Sequence, residues 1–135
     1  RFCDAFVARV EQVRIGDPFA SDTELGPLAF KAHFDRVMAF AREAIESDDY
    51  RVLAGAKPAK GFERGYFFAP TVVEAKDNAS RLCQEEIFGP FVTIQRVSGL
   101  DDAIARANDS QYGLVSYIWS DDLPSVMKAR RARGD

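Results

Sequence analysis

The feature that most constrains the fold of this chain is the alternation of strand and helix patterns in its last third. Residues 91–97 are typical of a strand, and the nearly continuous apolar run at residues 114–119 favours a parallel strand that is covered on both faces. Between them, Ser98 and Asp101 form an acidic version of the helix capping box. This order predicts a right-handed crossover that joins two parallel strands of one sheet.

Three further patterns predict helices. Apolar residues recur at helical spacing over residues 2–13 and again over residues 31–47. A last helix begins at Ser120 and Asp121, with Pro124 tolerated in its first turn.

Two earlier segments favour strands. Residues 50–54 form a short candidate, and residues 66–73 are rich in aromatic and β-branched side chains. Pro70 cannot donate to a ladder, which favours an edge position or an irregularity for the second strand. We therefore expect an α/β fold with an open, largely parallel sheet and flanking helices, formed as a single domain over residues 1–135.

The helix predicted at residues 31–47 has two faces of interest. Its expected core stripe consists of Phe34, Val37, Met38, Ala41 and Ile45. His33, Arg36 and Phe40 fall on a different face. The phenylalanine on that face indicates either a second buried surface or a scattered exposed aromatic residue, and both interpretations stay open at this point.

Composition excludes several classes of protein. The 135 residues carry a net charge of −3, so the basic surface of a nucleic-acid binder is missing, and no apolar run reaches the ~20 residues that span a bilayer. Two cysteines, Cys3 and Cys83, are too few for a disulfide scaffold and favour a reduced, cytoplasmic setting. A single histidine argues against a metal site such as a zinc site. The Arg-Gly-Asp tripeptide at residues 133–135 is interpreted as a chance match to an integrin ligand. Because the chain begins with Arg1, we expect a piece of a longer protein or a processed one.

The most informative segment for function is residues 84–90, Gln-Glu-Glu-Ile-Phe-Gly-Pro. In an extended backbone Glu86 and Phe88 face the same side, while Glu85 and Ile87 face the other side. A carboxylate accepts hydrogen bonds from both hydroxyls of a ribose, and an aromatic ring packs against a flat heterocycle. From the residues alone, the alternative is a solvated acidic strand end before a turn.

Several short motifs occur in order along almost the whole chain. Residues 84–90 match, at every position, a hallmark segment of the aldehyde dehydrogenase superfamily. The other matching elements are Gly16-Asp17-Pro18, Gly26-Pro27, Gly65-Tyr66-Phe67 with Pro70-Thr71-Val72, Ala103-Ile104 with Ala107-Asn108, and Tyr112-Gly113-Leu114. Together they make the chain resemble part of the catalytic domain of that superfamily.

The resemblance implies the oxidation of a small-molecule aldehyde to a carboxylic acid with NAD or NADP. In that chemistry a cysteine thiolate attacks the carbonyl, hydride passes to the nicotinamide, and water hydrolyses the thioester. By resemblance, Glu86 holds the hydroxyls of the nicotinamide-side ribose and Phe88 packs near the nicotinamide. His33 and Arg36 occupy helix positions at which family members often place polar residues that face the cofactor.

The resemblance also implies what this chain lacks. The nucleophilic cysteine, the general-base glutamate and the dinucleotide-binding domain are expected upstream, and the closing strands that help the family to form homo-oligomers are expected downstream. Residues 1–135 are therefore expected to be one partial catalytic domain without catalytic residues of its own, and Cys3 and Cys83 are expected to be packing residues. The alternative is a truncated, non-catalytic remnant that acts as a binding or assembly module.

Overall fold

The computed structural model describes residues 1–132 of the chain. The chain forms two compact units, Arg1–Gln95 and Arg96–Asp135, and each is described here by itself. The tripeptide at residues 133–135, interpreted above as a chance match, lies outside the described residues. No helix in the described part of the chain combines the length and the apolar character that a membrane crossing requires.

The first unit is built on a three-stranded sheet. Its helices and strands, in chain order, are α1 (Phe2–Glu11), α2 (Lys31–Glu46), β1 (Tyr50–Ala54), β2 (Thr71–Ala75), α3 (Arg81–Gln84) and β3 (Phe91–Ile94). Strand β2 lies at the centre, where it pairs antiparallel with β1 and parallel with β3. The expected α/β fold with an open sheet and flanking helices is confirmed. The sheet is less parallel than expected, because only the β2–β3 pairing is parallel and the β1–β2 pairing is antiparallel.

Strand β2 begins one residue after Pro70, because proline has no backbone N–H to donate to a ladder. The strand expected at residues 66–73 is therefore shorter at its start, and it continues to Ala75. It is the central strand of the sheet, so it has no edge position, but its pairing with β1 carries the irregularity that was the other expectation, a register shift between Val52 and Ala54. Beside its start, Gly55 has a φ of +74°, and a Cβ there would lie 2.2 Å from the carbonyl oxygen of Pro70. Only glycine fits at that point.

Helix α2 supplies one side of the core of the first unit. Its buried residues are Val37, Phe40, Ala41 and Ala44. They pack in one cluster with Ala56, Phe68, Val73, Leu82 and Ile87. Phe40 is fully buried in this same cluster, so it is not a scattered exposed aromatic residue, and its face belongs to the one buried surface of the helix instead of a second one. Ile45, expected in the core, is 62% exposed, because the buried face is rotated towards Phe40 and leaves Ile45 about 90° from its centre.

Helix α4 (Leu100–Asn108) is the first helix of the second unit. The Asp102 carboxylate accepts hydrogen bonds from the Ser98 backbone N–H at 2.9 Å and from the Ser98 hydroxyl at 3.1 Å. The Ser98 amide is the main reason that the pKa of Asp102 is lowered to about 2. The acidic partner in this capping arrangement is therefore Asp102, whereas the sequence had indicated Asp101.

Helix α5 (Leu123–Arg131) is capped by a residue that the sequence analysis did not select. The Asp122 carboxylate accepts a hydrogen bond from the Ser125 backbone N–H at 3.0 Å, so neither Ser120 nor Asp121 is the capping residue. Pro124 lies in the first turn, as expected, where a missing N–H costs no hydrogen bond.

The prediction of a strand at residues 114–119 is wrong. These residues form no strand in the structure, and Leu114 and Trp119 are 98% and 91% exposed. A strand is stable through hydrogen bonds to a neighbouring strand. The second unit, as far as residue 132, contains helices but no strand that could pair with this run. The expected crossover from β3 is therefore not formed within the described residues.

Candidate functional site

The segment that carries the hallmark motif lies along helix α2. Residues 85–89, which we call the 85–89 loop, follow directly on α3 and lead towards β3. The backbone approaches the helix so closely at Gly89 that a Cβ there would lie 2.9 Å from Val37 Cγ2. Ile87 is buried in the same core cluster as Val37. Apolar packing at its middle and at its end thus holds the loop against α2.

Two polar side chains of α2 bind the main chain of the 85–89 loop. Arg36 Nη2 donates to the carbonyl oxygen of Glu86 at 2.6 Å, and His33 Nε2 hydrogen-bonds to the carbonyl oxygen of Phe88. Since a carbonyl oxygen only accepts, Nε2 is the protonated nitrogen of His33 in this arrangement. The two helix residues are three apart, which puts them on neighbouring turns of one face. The structure thus brings together all four residues that the sequence analysis selected.

The backbone at Phe88 departs from the extended path assumed from the sequence. Phe88 has a φ of +58°, in the left-handed region that non-glycine residues rarely occupy. A conformation of this kind persists where its surroundings hold it in place, and here the His33 hydrogen bond and the buried Ile87 do so. The Phe88 ring is 69% exposed, and its centroid lies 5.8 Å from that of His33.

The two glutamates of the motif differ in what their carboxylates contact. Glu85 is bound by Arg81, whose Nε donates to Glu85 Oε1 at 2.7 Å, and this hydrogen bond is the main reason that the pKa of Glu85 lies below its usual value. Glu86 is exposed, and its carboxylate makes no hydrogen bond or ion pair with any other residue that the structure describes. Of the two side chains, that of Glu86 is therefore the one that is available to a ligand.

Arg81 is a residue of this region that the sequence analysis missed. Its guanidinium lies 4.2 Å from the ring centroid of Phe40 and bridges Glu85 on the loop to Glu43 on α2, with a distance of 2.8 Å to Glu43. The spacing of four residues between Arg81 and Glu85 was a signal in the sequence, since such pairs meet on a helical turn. Nothing in the sequence indicated the contacts to Phe40 and Glu43, because they join residues distant along the chain.

Both cysteines are free and partly buried. Cys83 Sγ accepts a hydrogen bond from Gln95 Nε2 at 3.0 Å. The only histidine of the chain, His33, is bound to the Phe88 carbonyl. The assignment of both cysteines to packing stays a prediction. Among residues 1–132, no three His, Cys, Asp or Glu side chains are grouped so that they could hold a metal ion.

Sequence comparison relates this chain to proteins of known family. Residues 1–133 match the model of the "Aldehyde dehydrogenase family". Hydroxyisobutyraldehyde dehydrogenase of Mycolicibacterium austroafricanum is 39% identical over 127 residues, which are 94% of this chain and 25% of that protein. The chain therefore spans about a quarter of the length of such relatives.

Solved structures give the same relationship. PnpE from Pseudomonas sp. WBC-3 superposes with a TM-score of 0.91 at 42% identity, over 98% of this chain and 27% of that one. Betaine aldehyde dehydrogenase from Staphylococcus aureus, solved in complex with NAD+, superposes with a TM-score of 0.88 at 31% identity, over 98% of this chain and 26% of that one. The family match over residues 1–133 and these superpositions agree, and we conclude that the chain belongs to the aldehyde dehydrogenase family.

Proposed function

We propose that this chain is the cofactor-facing part of the catalytic domain of an enzyme that oxidises an aldehyde to a carboxylic acid with NAD or NADP. Membership of the family supports the reaction class. The observation that carries the proposal is that one loop presents both a free Glu86 carboxylate and an exposed Phe88 ring. Hydrogen bonds from two α2 side chains hold the main chain of this loop. In this proposal residues 1–135 are one partial domain, and the nucleophile and the general base belong to upstream parts of the protein.

The chemistry of the loop fits a nicotinamide dinucleotide. An unpaired carboxylate is a strong acceptor for the two hydroxyls of a ribose, and Glu86 has no competing partner among the described residues. The exposed ring of Phe88 offers a flat apolar surface for a planar heterocycle. When bound, the oxidised nicotinamide would accept the hydride that the aldehyde loses, and water would supply the second oxygen of the carboxylic acid.

His33 and Arg36 complete the proposed cofactor site. Each binds a main-chain carbonyl of the loop, and these two hydrogen bonds hold Glu86 and Phe88 in position before the cofactor arrives. A guanidinium has five N–H donors, so Arg36 keeps donors for a cofactor oxygen while it binds Glu86. Preorganisation of this kind lowers the ordering cost that binding would otherwise carry.

The finer features of the proposal follow from relatives and composition. Betaine aldehyde dehydrogenase of Staphylococcus aureus was solved with NAD+, which favours NAD over NADP as the cofactor. The two free cysteines favour a cytoplasmic enzyme, and the net charge of −3 argues against a nucleic-acid partner. We expect the whole protein to form a homo-oligomer without a membrane partner. No observation on the described residues favours the alternative of a non-catalytic remnant.

The proposal is tested with Glu86→Gln in the full-length protein. The amide keeps the shape of the side chain but loses its charge, and hydrogen bonds to a charged group contribute roughly 1.5–3 kcal/mol. The rate constant of hydride transfer in a single turnover, followed by the absorbance of the reduced cofactor, should fall about ten- to hundredfold. Phe88→Leu should slow the same step, because it removes the flat packing surface.

Glu46→Gln is the matched control for the charge change. Glu46 ends α2, is exposed, and has no role in the proposed site. It should leave the rate constant within about twofold of the unchanged protein, as surface substitutions away from special features do. If Glu86→Gln behaved like this control, Glu86 would not hold the cofactor and the proposed site would be wrong.

A further inference from the structure

Arg81 is fixed in place from three sides. Its Nε and Nη2 donate to the two carboxylate oxygens of Glu85 at 2.7 and 3.3 Å, and its Nη1 donates to Glu43 at 2.8 Å. Its guanidinium lies 4.2 Å from the ring centroid of the fully buried Phe40. Glu43 in turn accepts a hydrogen bond from the Tyr50 hydroxyl at 3.3 Å.

Together these contacts stabilise the position of the Arg81 side chain more than an isolated surface ion pair would. Glu85 is 45% exposed and Arg81 is 46% exposed, so their pairing in isolation would contribute little. The buried ring of Phe40 and the second carboxylate, that of Glu43, restrict the guanidinium to one plane and one position. Arginine is needed for this arrangement, because an ammonium group offers neither the planar fork nor the flat face.

The residue that Arg81 holds is the immediate neighbour of Glu86. Helix α3 is a single turn, and Glu85 follows it directly, so little local structure fixes the start of the 85–89 loop. The Arg36 hydrogen bond to the Glu86 carbonyl fixes the next point along the chain. The Arg81–Glu85 contact and the Arg36 hydrogen bond thus fix the backbone before and after the Glu86 Cα, and this backbone sets the direction of the Glu86 side chain.

We propose that Arg81 is a positioning residue for Glu86: by binding Glu85 and stacking on Phe40, it sets where the Glu86 carboxylate stands relative to the cofactor. This inference rests on the proposed function, since it names the residue through which the cofactor site is held in shape. Arg81 touches neither substrate nor cofactor in this scheme.

The test is a double-mutant cycle in the full-length protein. Arg81→Met is combined with Glu86→Gln, and the single-turnover rate constant of hydride transfer is measured for all four proteins together with the Kd for NAD+. Arg81→Met alone should slow hydride transfer about ten- to hundredfold, the effect of a displacement near 1 Å. In the Glu86→Gln background the same change should have less than about a twofold effect, because the carboxylate that it positions is gone. Arg42→Met, on the exposed side of α2, is the control and should leave both constants unchanged.

Three results would overturn the inference or its foundation. Equal effects of Arg81→Met with and without the Glu86 carboxylate would show a merely structural role. A silent Arg81→Met beside a damaging Glu86→Gln would refute positioning and leave the proposed function intact. A silent Glu86→Gln would refute the proposed function itself. If Arg81→Met does not fold, Arg81→Lys replaces it in the double-mutant cycle, because lysine keeps the charge but lacks the planar fork of donors. Its effect on the rate constant of hydride transfer should likewise disappear in the Glu86→Gln background.

Discussion

Gly89→Ala should damage the proposed cofactor site through a single added methyl group. The new Cβ would lie 2.9 Å from Val37 Cγ2, and the Val37 side chain is fully buried. Valine has one preferred rotamer in a helix, so its methyl cannot turn aside without strain. The backbone of Gly89 lies outside the left-handed region, so the close approach to Val37 is the only obstacle to alanine.

The size of the effect follows from the distance. Apolar carbon atoms pack at about 3.5–4.0 Å, so the contact of 2.9 Å requires the 85–89 loop to move away from α2 by about 0.6–1.1 Å. A shift of that size would stretch the hydrogen bond from Arg36 to the Glu86 carbonyl, now 2.6 Å, to about 3.2–3.7 Å, at or beyond the usual limit. The displaced Glu86 carboxylate should then slow hydride transfer about ten- to hundredfold.

The assay is single-turnover hydride transfer in the full-length protein, with the Kd for NAD+ measured alongside. Gly99→Ala is the control, because a Cβ at Gly99 meets no atom within 4 Å. The decisive variant is Gly89→Ala combined with Val37→Ala, which removes the methyl group that the new Cβ would strike. Val37→Ala alone removes a buried side chain and costs about 2–3 kcal/mol of stability, so the double variant is compared with that single variant.

We expect Gly89→Ala to be damaging in the presence of Val37 and nearly silent in its absence. Equal damage in both backgrounds would show that the methyl group acts elsewhere than on Val37. Unchanged hydride transfer in Gly89→Ala itself would show that the close packing of the loop on α2 does not position Glu86. Either result would refute the reasoning.

Two further predictions concern other parts of the chain. The pKa of Asp102 is lowered to about 2, so its hydrogen bonds with Ser98 stabilise the start of α4 above the ordinary carboxyl pKa and are lost as pH falls through about 2. Amide hydrogen exchange at Ser98, measured by NMR, should therefore become faster in that pH range relative to its intrinsic rate. The Asp102→Asn variant should show no such pH dependence. The isolated 1–135 chain should show no NAD-dependent aldehyde oxidation, because it lacks the expected nucleophile and most of the cofactor site. Turnover that disappears on Cys83→Ala would contradict this and identify Cys83 as the nucleophile.

Local patterns in the sequence predicted α1, α2, α4 and α5 and four candidate site residues, but they did not predict the single-turn helix α3. Helix α2 and strand β1 lie where periodicity and composition predicted them, because the spacing of apolar residues reports directly on helical and extended geometry. Strand β3 begins at Phe91 as predicted but ends at Ile94, three residues before the predicted end. The motif at residues 84–90 indicated Glu86 and Phe88 as candidates, and the structure leaves both side chains exposed while it buries Ile87 between them.

Contacts between distant residues were decided only by the tertiary structure. The left-handed backbone at Phe88 depends on a hydrogen bond from His33, which is 55 residues away in the chain, and the setting of Arg81 depends on Phe40 and Glu43 of another helix. The run at residues 114–119 has the composition of a buried strand but forms none, because a strand requires a neighbour and the described part of its unit supplies only helices. Local sequence patterns thus predicted α1, α2, α4 and α5 and four candidate site residues, whereas long-range packing determined their backbone conformation, their hydrogen-bond partners and their exposure.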